Sequence, residues 1–251
     1  MTFAHPGDSH KHSLETLHQL VEYDEFMESI TSVVDLGCGN GDDLLWWATR
    51  TTRDTVPVPL NISCTGIDVN VQPLLSITNH NINYQQHDFE NFIEHSDKGF
   101  DILWCHDAFQ FAVSPVQTLT RWRDIASNGA MLYICVPLTQ QIYHRHLNYY
   151  LPSGNYYHYS LVNLIYMLAT AGWDCRSGFF KQSPTDNWLH AIVYKSNQEP
   201  LNPKTTSWHE LSELKLLPES ADTSIYAYGY LRQQDLIIPW IDRGLTSMAR
   251  Q

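Results

Sequence analysis

Basic residues are scarce, and no run of lysine or arginine occurs in the 251-residue chain: 15 Lys and Arg face 27 Asp and Glu, a formal net charge of -12. A surface of that sign repels phosphate backbones, so a large nucleic-acid footprint is disfavoured. Long apolar runs are missing as well. The nearest, "LVNLIYMLATAGW", falls short of the ~20 residues a membrane span requires and reads as a core helix. The opening "MTFAHPGDSHKHS" has no apolar signal core. The five cysteines form no CxxC pair and are odd in number, and Cys38, Cys64, Cys105 and Cys135 sit in or beside apolar strand-like runs. That excludes a disulfide framework and argues for reduced, buried thiols. A soluble cytoplasmic protein with no membrane partner is expected. Charged residues make up only 17% against 43% hydrophobic, which excludes wholesale disorder.

What the chain does have is alternation. Residues 14–30 carry apolar residues at helical spacing, and "SVVDLG" reads as a strand. "DDLLWWATRT" follows as a helix opened by two acids, which suit the positive end of its dipole, with Trp46 and Trp47 packing it on the sheet. A Pro-containing connection leads to the strand "ISCTGID", then "PLLSITNH" as a short helix. "INYQQHD" and "FDILWCH" are strands, "PVQTLTRWRDIA" a helix with Pro115 in its first turn, and "GAMLYICVP" the fifth strand. After residues 137–160 break the rhythm, "LVNLIYMLATAG" is a helix, and "WDCRSGFF" and "LHAIVYK" form an antiparallel pair. Strands alternating with helices imply an α/β fold, a doubly wound and mostly parallel sheet covered on both faces. We place this domain at 1–198 and an appendage packed on it at 199–251.

Ligands of such sheets bind at the carboxyl ends of the strands, near the reversal of strand order. The unusual residues cluster there. "VVDLGCGNGDDLLWW" puts glycines at 37, 39 and 41 where the first strand turns into the first helix. Glycine gives access to positive φ and removes a Cβ where a ligand must touch backbone. The spacing is G-x-G-x-G, not the G-x-G-x-x-G of a dinucleotide loop. "GNGDD" also has two acids where a P-loop has Lys and Ser or Thr, so phosphate is the wrong ligand and a nicotinamide oxidoreductase is disfavoured.

"VVDLGCGNG" resembles the first motif of class I S-adenosylmethionine-dependent methyltransferases, an acid followed by G-x-G-x-G. The resemblance continues in order through "TGID", "HDFE", "FDILWCHDAFQF" and "GAMLYICVP", over roughly residues 30–195. It implies a Rossmann-like seven-stranded sheet with an antiparallel last strand, and S-adenosylmethionine as cofactor. It further implies that Asp35 organises the loop of Gly37, Cys38, Gly39 and Gly41, and that Asp68 accepts the ribose hydroxyls. Val69 would pack on adenine, Asp88 would accept from the adenine amino group beside Phe89, and Cys105 would border the sulfonium. An acid suits position 68 because one carboxylate takes two O–H donors. The connection before "TGID" is long for the family and reads as an insertion.

Methyl transfer is a displacement at carbon, so much of its catalysis is alignment. A base is required only where the acceptor must lose a proton. His106 and Asp107 follow the fourth strand, where such a base would stand, with Gln110 and Phe111 as acceptor contacts. Residues 137–160 would form an acceptor lid, with Tyr143, His144 and His146 as contacts for a planar or cationic molecule. Packing of the lid, or a dimer contact, is the alternative for those aromatics. The spacing of the histidines supports no metal site. The Asn/Asp-Pro-Pro-Tyr/Phe motif of amino-methylating nucleic-acid enzymes is missing. A small-molecule acceptor is the leading expectation. An RNA or protein methyltransferase, and a catalytically silent relative acting through residues 199–251, remain alternatives.

Overall fold

The computed structural model describes residues 28–51, 58–70, 81–93, 98–137, 157, 159–183 and 188–239. Seven strands form one sheet: β1 (Ser32–Leu36), β2 (Ser63–Asp68), β3 (Ile82–Gln86), β4 (Phe100–His106), β5 (Ala126–Pro137), β6 (Trp173–Ser183) and β7 (Trp188–Lys195). Their spatial order is β3-β2-β1-β4-β5-β7-β6. The first five are parallel, and β7 runs antiparallel between β5 and β6. The order reverses between β1 and β4, which opens a crevice at their carboxyl ends. This is the doubly wound sheet expected from the alternation of elements.

The period of two along each strand sorts side chains onto two faces. On one face Val34, Leu36, Leu103, Leu132, Ile134 and Val193 join the larger apolar cluster. Helices α2 (Pro115–Ile125) and α3 (Leu161–Thr170) cover it, contributing Leu119, Trp122, Ile125, Leu164, Ile165 and Leu168. Pro115 opens α2 at its first turn, and a capping box of Ser160 and Asn163 opens α3. On the other face Val33, Ile102, Trp104, Met131, Tyr133 and Ile192 meet α1 (Asp42–Ala48) through Leu44, Trp46 and Trp47. The rings of Trp47 and Trp104 meet edge-on at 6.0 Å.

Two helices of the C-terminal region, α4 (Trp208–Glu213) and α5 (Glu219–Tyr228), and the segment between them extend the larger cluster with Leu211, Leu216, Leu217, Ala221 and Ile225. The same region runs along the outermost strand: Cys175 N–H donates to Leu216 O and Phe180 N–H to Pro239 O. Residues 199–239 therefore share the core of the sheet domain.

Strand β5 starts earlier than its sequence suggests, at Ala126, directly after α2. "SNG" looks like a turn, but a register shift between Phe100 and Ile102 and a positive φ at Gly129 absorb it within the strand. The helix expected at 73–80 lies outside the described residues, as does all of the 14–30 helix except its end. Among the described residues no helix is long and apolar enough to cross a membrane.

Candidate functional site

At the end of β1 the chain bends through Gly37, Gly39 and Gly41, with φ of 88°, 49° and 75°. The first two positions use glycine for different reasons. A Cβ on Gly37 would lie 2.3 Å from the Cβ of Ala108, in the loop after β4, whereas one on Gly39 would meet nothing within 4 Å. Gly37 thus lets two strand-end loops touch, while Gly39 gives the loop its turn at an exposed tip. The N–H groups of Gly37 and Cys38 both donate to Ile67 O, at 2.8 and 3.1 Å, tying the bend to β2.

Asp68, the last residue of β2, completes this frame. Its Oδ2 accepts from Gly39 N–H at 3.0 Å and its Oδ1 from Asn70 N–H at 2.8 Å. A carboxylate oxygen has a second lone pair, so Asp68 can hold the loop and still accept hydroxyl donors. Val69 beside it is 66% exposed and offers an apolar face. Asp35 lies buried beneath the loop. Burial, with Asp43 and Asp68 nearby, pushes its carboxyl well above the usual carboxylate range. Cys38 and Cys64 are raised chiefly by burial and further by Asp35, Cys64 to about 12, so both are neutral thiols. All five cysteines are buried and free.

A further glycine lets α1 and the glycine loop pack closely on the sheet beside the crevice. In β2, a Cβ on Gly66 would meet Leu44 Cδ1 at 2.4 Å, Tyr84 Cδ1 at 2.8 Å and Cys38 Sγ at 3.0 Å. The close helix–sheet packing that a dinucleotide loop obtains from its third glycine comes here from the neighbouring strand. The signal was a glycine inside the strand pattern "SCTGID", which often marks close approach.

Asp88 caps its own turn: Oδ1 accepts from Glu90 N–H at 3.0 Å and Oδ2 from the Asn91 side chain at 2.9 Å. Phe89 reaches the bend, 3.8 Å from where a Gly37 Cβ would stand, and its ring packs on Trp122 at 5.9 Å. Glu90, unforeseen, is buried and accepts from Val113 N–H, Ser114 N–H and Thr118 Oγ1, anchoring the start of α2.

The end of β4 turns two of the expected residues inward. Cys105 is fully buried in the larger apolar cluster, so its thiol offers no surface to a ligand. Gln110 is 2% exposed and turns inward, its Nε2 donating to Asp107 O and Oδ1 at 2.9 and 2.6 Å, so it steadies Asp107 instead of facing an acceptor. Asp107 sits at φ 53° in a conformation few non-glycine residues adopt. The residue is exposed in part, yet surrounding protein desolvates its carboxyl and pushes it up to about 6, against the opposing pull of Gln110. His106 lies on the α1 side of the sheet, its Nδ1 3.5 Å from Asp43 Oδ2. Phe111 is partly exposed. Tyr143, His144 and His146 lie outside the described residues. At the return end of that segment, Tyr159 stacks on Phe109 and donates to Phe109 O, and Tyr157 donates to Val113 O.

The donor set selects its ligand. The carboxylate of Asp68 at the glycine bend repels phosphate and suits a cationic group with hydroxyl donors, as an S-adenosylmethionine would present. Among the described residues, no group of three His, Cys, Asp or Glu side chains could hold a metal ion.

Comparison with known proteins gives the family and the fold. A family model described as a methyltransferase domain matches residues 27–165, more than half of the chain. The chain belongs to that family: it is a class I, S-adenosylmethionine-dependent methyltransferase. No curated protein matches it in sequence. Among solved structures, the plantazolicin methyltransferase BpumL, crystallised with a triazolic desmethyl analogue and S-adenosylhomocysteine, is 18% identical with a TM-score of 0.58, covering 76% of this chain and 86% of that one. A chain from a Haloferax volcanii complex containing the Trm112 methyltransferase activator is 18% identical, with a TM-score of 0.55 and coverage of 76% and 95%. The 1,6-didemethyltoxoflavin-N1-methyltransferase of Burkholderia thailandensis is 12% identical, with a TM-score of 0.50 and coverage of 78% and 93%. At these identities the likeness is one of fold.

Proposed function

We propose that this cytoplasmic enzyme methylates a small molecule, with the crevice above β1, β2 and β4 as its cofactor bay. The observation that carries this reading is the frame of Asp68 and the Gly37–Gly41 bend, anionic and held open by positive-φ glycines. Asp68 would accept the ribose hydroxyls, Val69 would cover one adenine face, and Asp88 with Phe89 would border the adenine amino group. The bend would carry the methionine end, whose ammonium would favour the ionised form of Asp35 beneath it. When bound, the cofactor supplies a methyl group on a sulfonium: an acceptor lone pair bonds to its carbon, and the C–S electron pair leaves with a neutral thioether. The chain's part is alignment and proton handling.

The small-molecule class rests on the acidic surface, which opposes RNA, and on small-ligand structural neighbours such as the toxoflavin precursor enzyme. Isothermal titration with S-adenosylhomocysteine tests the bay. Loss of a hydrogen bond to a charged group costs about 1.5–3 kcal/mol, so Asp68→Ala should weaken binding about ten- to a hundredfold. Equal binding by wild type and variant would remove the assignment. Labelled methyl transfer into extract, divided into small-molecule, RNA and protein fractions, tests the acceptor class; label in the RNA or protein fraction alone would overturn it.

A further inference from the structure

We propose that Asp107 takes the proton of the methyl acceptor and that Gln110 is the positioning residue that aims its carboxylate, an inference that rests on the cofactor bay just described. Strand β4 ends at His106, whose ring turns to the α1 side, and the chain then bends. Asp107 stands in the bend at φ 53°, a left-handed backbone that an L residue keeps only where its surroundings hold it. Two neighbours do so. Asp107 N–H donates to Cys135 O on β5 at 2.9 Å. Gln110 Nε2 donates to Asp107 O at 2.9 Å and to Asp107 Oδ1 at 2.6 Å, which limits the rotation of the carboxylate. Gln110 is itself buried, and its carbonyl accepts from Tyr157 N–H at 3.3 Å. Asp107 is an exposed residue, and among the described residues Gln110 is the one side chain bonded to its carboxylate. Oδ2 therefore keeps its lone pairs for a ligand. The next residue, Ala108, abuts Gly37, so this oxygen is carried at the edge of the cofactor loop.

The same turn describes the acceptor. Tyr157 lies along residues 110–113, its N–H on Gln110 O and its Oη donating to Val113 O. Phe111, Val113 and Tyr157 are 39%, 57% and 40% exposed, an apolar and aromatic strip that follows the carboxylate. A carboxylate beside such a strip suits an aromatic molecule that presents an O–H or N–H, and it repels a phosphorylated one. As that oxygen or nitrogen bonds to the methyl carbon, its proton passes to Asp107 Oδ2 and then to solvent, and the C–S electron pair stays with sulfur. The basicity fits the task. Surrounding protein pushes the Asp107 carboxyl up to about 6 against the pull of Gln110, so it is ionised at neutral pH yet a better base than an ordinary carboxylate. The titratable groups nearby leave that setting alone: Cys105 on β4 is a buried neutral thiol, Cys135 on β5 a buried free thiol, and His106 faces Asp43.

The test is the initial rate of labelled methyl transfer from S-adenosylmethionine, by full-length protein, into a fixed amount of the small-molecule fraction of an extract. A general base is worth about a hundred- to ten-thousandfold, so Asp107→Asn should lose that factor at neutral pH and still bind S-adenosylhomocysteine by calorimetry. A base works only when ionised, so the wild-type rate should fall as pH drops through about 6. In Gln110→Leu, which lacks the bond that favours the ionised form, the fall should begin at higher pH. Carboxyl 13C spectra of aspartate-labelled protein, with Asp107→Asn assigning the resonance, should show the same upward move of the midpoint with no acceptor present. Methyl transfer at the wild-type rate by Asp107→Asn overturns the proposal, as does an unmoved midpoint in Gln110→Leu. Should either variant fail to fold, the other decides. Ligand binding lost together with rate in a folded Asp107→Asn would make Asp107 part of the bay and end its role as base. Wild type that binds ligand but labels only RNA or protein overturns the acceptor and leaves the bay standing. Wild type that binds no ligand overturns the bay, and the proposal with it.

Discussion

On β4, Leu103 and Cys105 enter the larger apolar cluster, whose buried polar groups such as Glu90 and Thr118 lie on or beside α2, while Trp104 and His106 point to the opposite side, where the core also holds Asp43, Tyr133 and His190. The first side is covered by α2, α3 and the C-terminal helices; the second meets the short helix α1. Tyr133 Oη lies 3.0 Å from His190 Nδ1, and the Trp104 ring stacks on Tyr133 at 3.7 Å. Buried polar groups cost free energy unless partnered, and on this side the partners are carried by the strands themselves. The larger cluster supplies most of the apolar burial, and the α1 side sets polar side chains against the strands.

The strongest way to break that division is to remove cohesion. Deleting residues 199–251 strips Leu211, Leu216, Leu217, Ile225 and Leu231 from the larger cluster. At about 1.5–3 kcal/mol each, these are comparable with a whole domain's stability of about 5–15 kcal/mol. The shortened chain should lose its cooperative denaturant transition; a soluble, cooperatively folding 1–198 would show that the larger cluster stands without them. Next comes Gly37→Val. The left-handed backbone costs about 1–3 kcal/mol, and the clash with Ala108 about 1–3 kcal/mol more. Gly39→Ala has no clash and should cost about 1–2 kcal/mol. Urea midpoints compare the pair, and equal losses would contradict the contact between the two loops.

A smaller effect sharpens the comparison on the α1 side. Tyr133→Phe removes the hydroxyl facing His190 and should cost about 1–3 kcal/mol, with S-adenosylhomocysteine affinity retained. An affinity loss would tie this buried pair to the ligand site. The smallest expected signal is a fraction of a proton. Asp35 is raised by burial and by its acidic neighbours, so a cation that favours its ionised form must displace a proton. Calorimetry in buffers of differing ionisation enthalpy should show proton release on binding, and affinity rising with pH through the range where Asp35 ionises. Proton uptake would reverse the sign and exclude Asp35 as the group that meets the ammonium.

The sequence made the sheet and the glycine bend legible because both are local: strand periodicity, three glycines and Asp68 at a strand end need no knowledge of partners. The meeting of Asp43 with His106 was hidden because it depends on α1 lying against β4, a tertiary fact; in the chain Asp43 is one of two adjacent acids at a helix start. The inward turn of the Gln110 and Cys105 side chains was not legible for a related reason, since position after a strand does not tell which way a side chain turns. The start of β5 was missed because "SNG" has turn chemistry that the sheet absorbed as an irregularity.

Gly66 lies inside β2, two residues before Asp68, and the absence of a single methyl group there lets α1 settle onto the strands beneath it. Any larger residue would jack the helix upward and carry the crevice rim with it. The clearance available to an incoming molecule is thus written partly in the floor of the protein, where selection for a new acceptor could act without altering one contact residue.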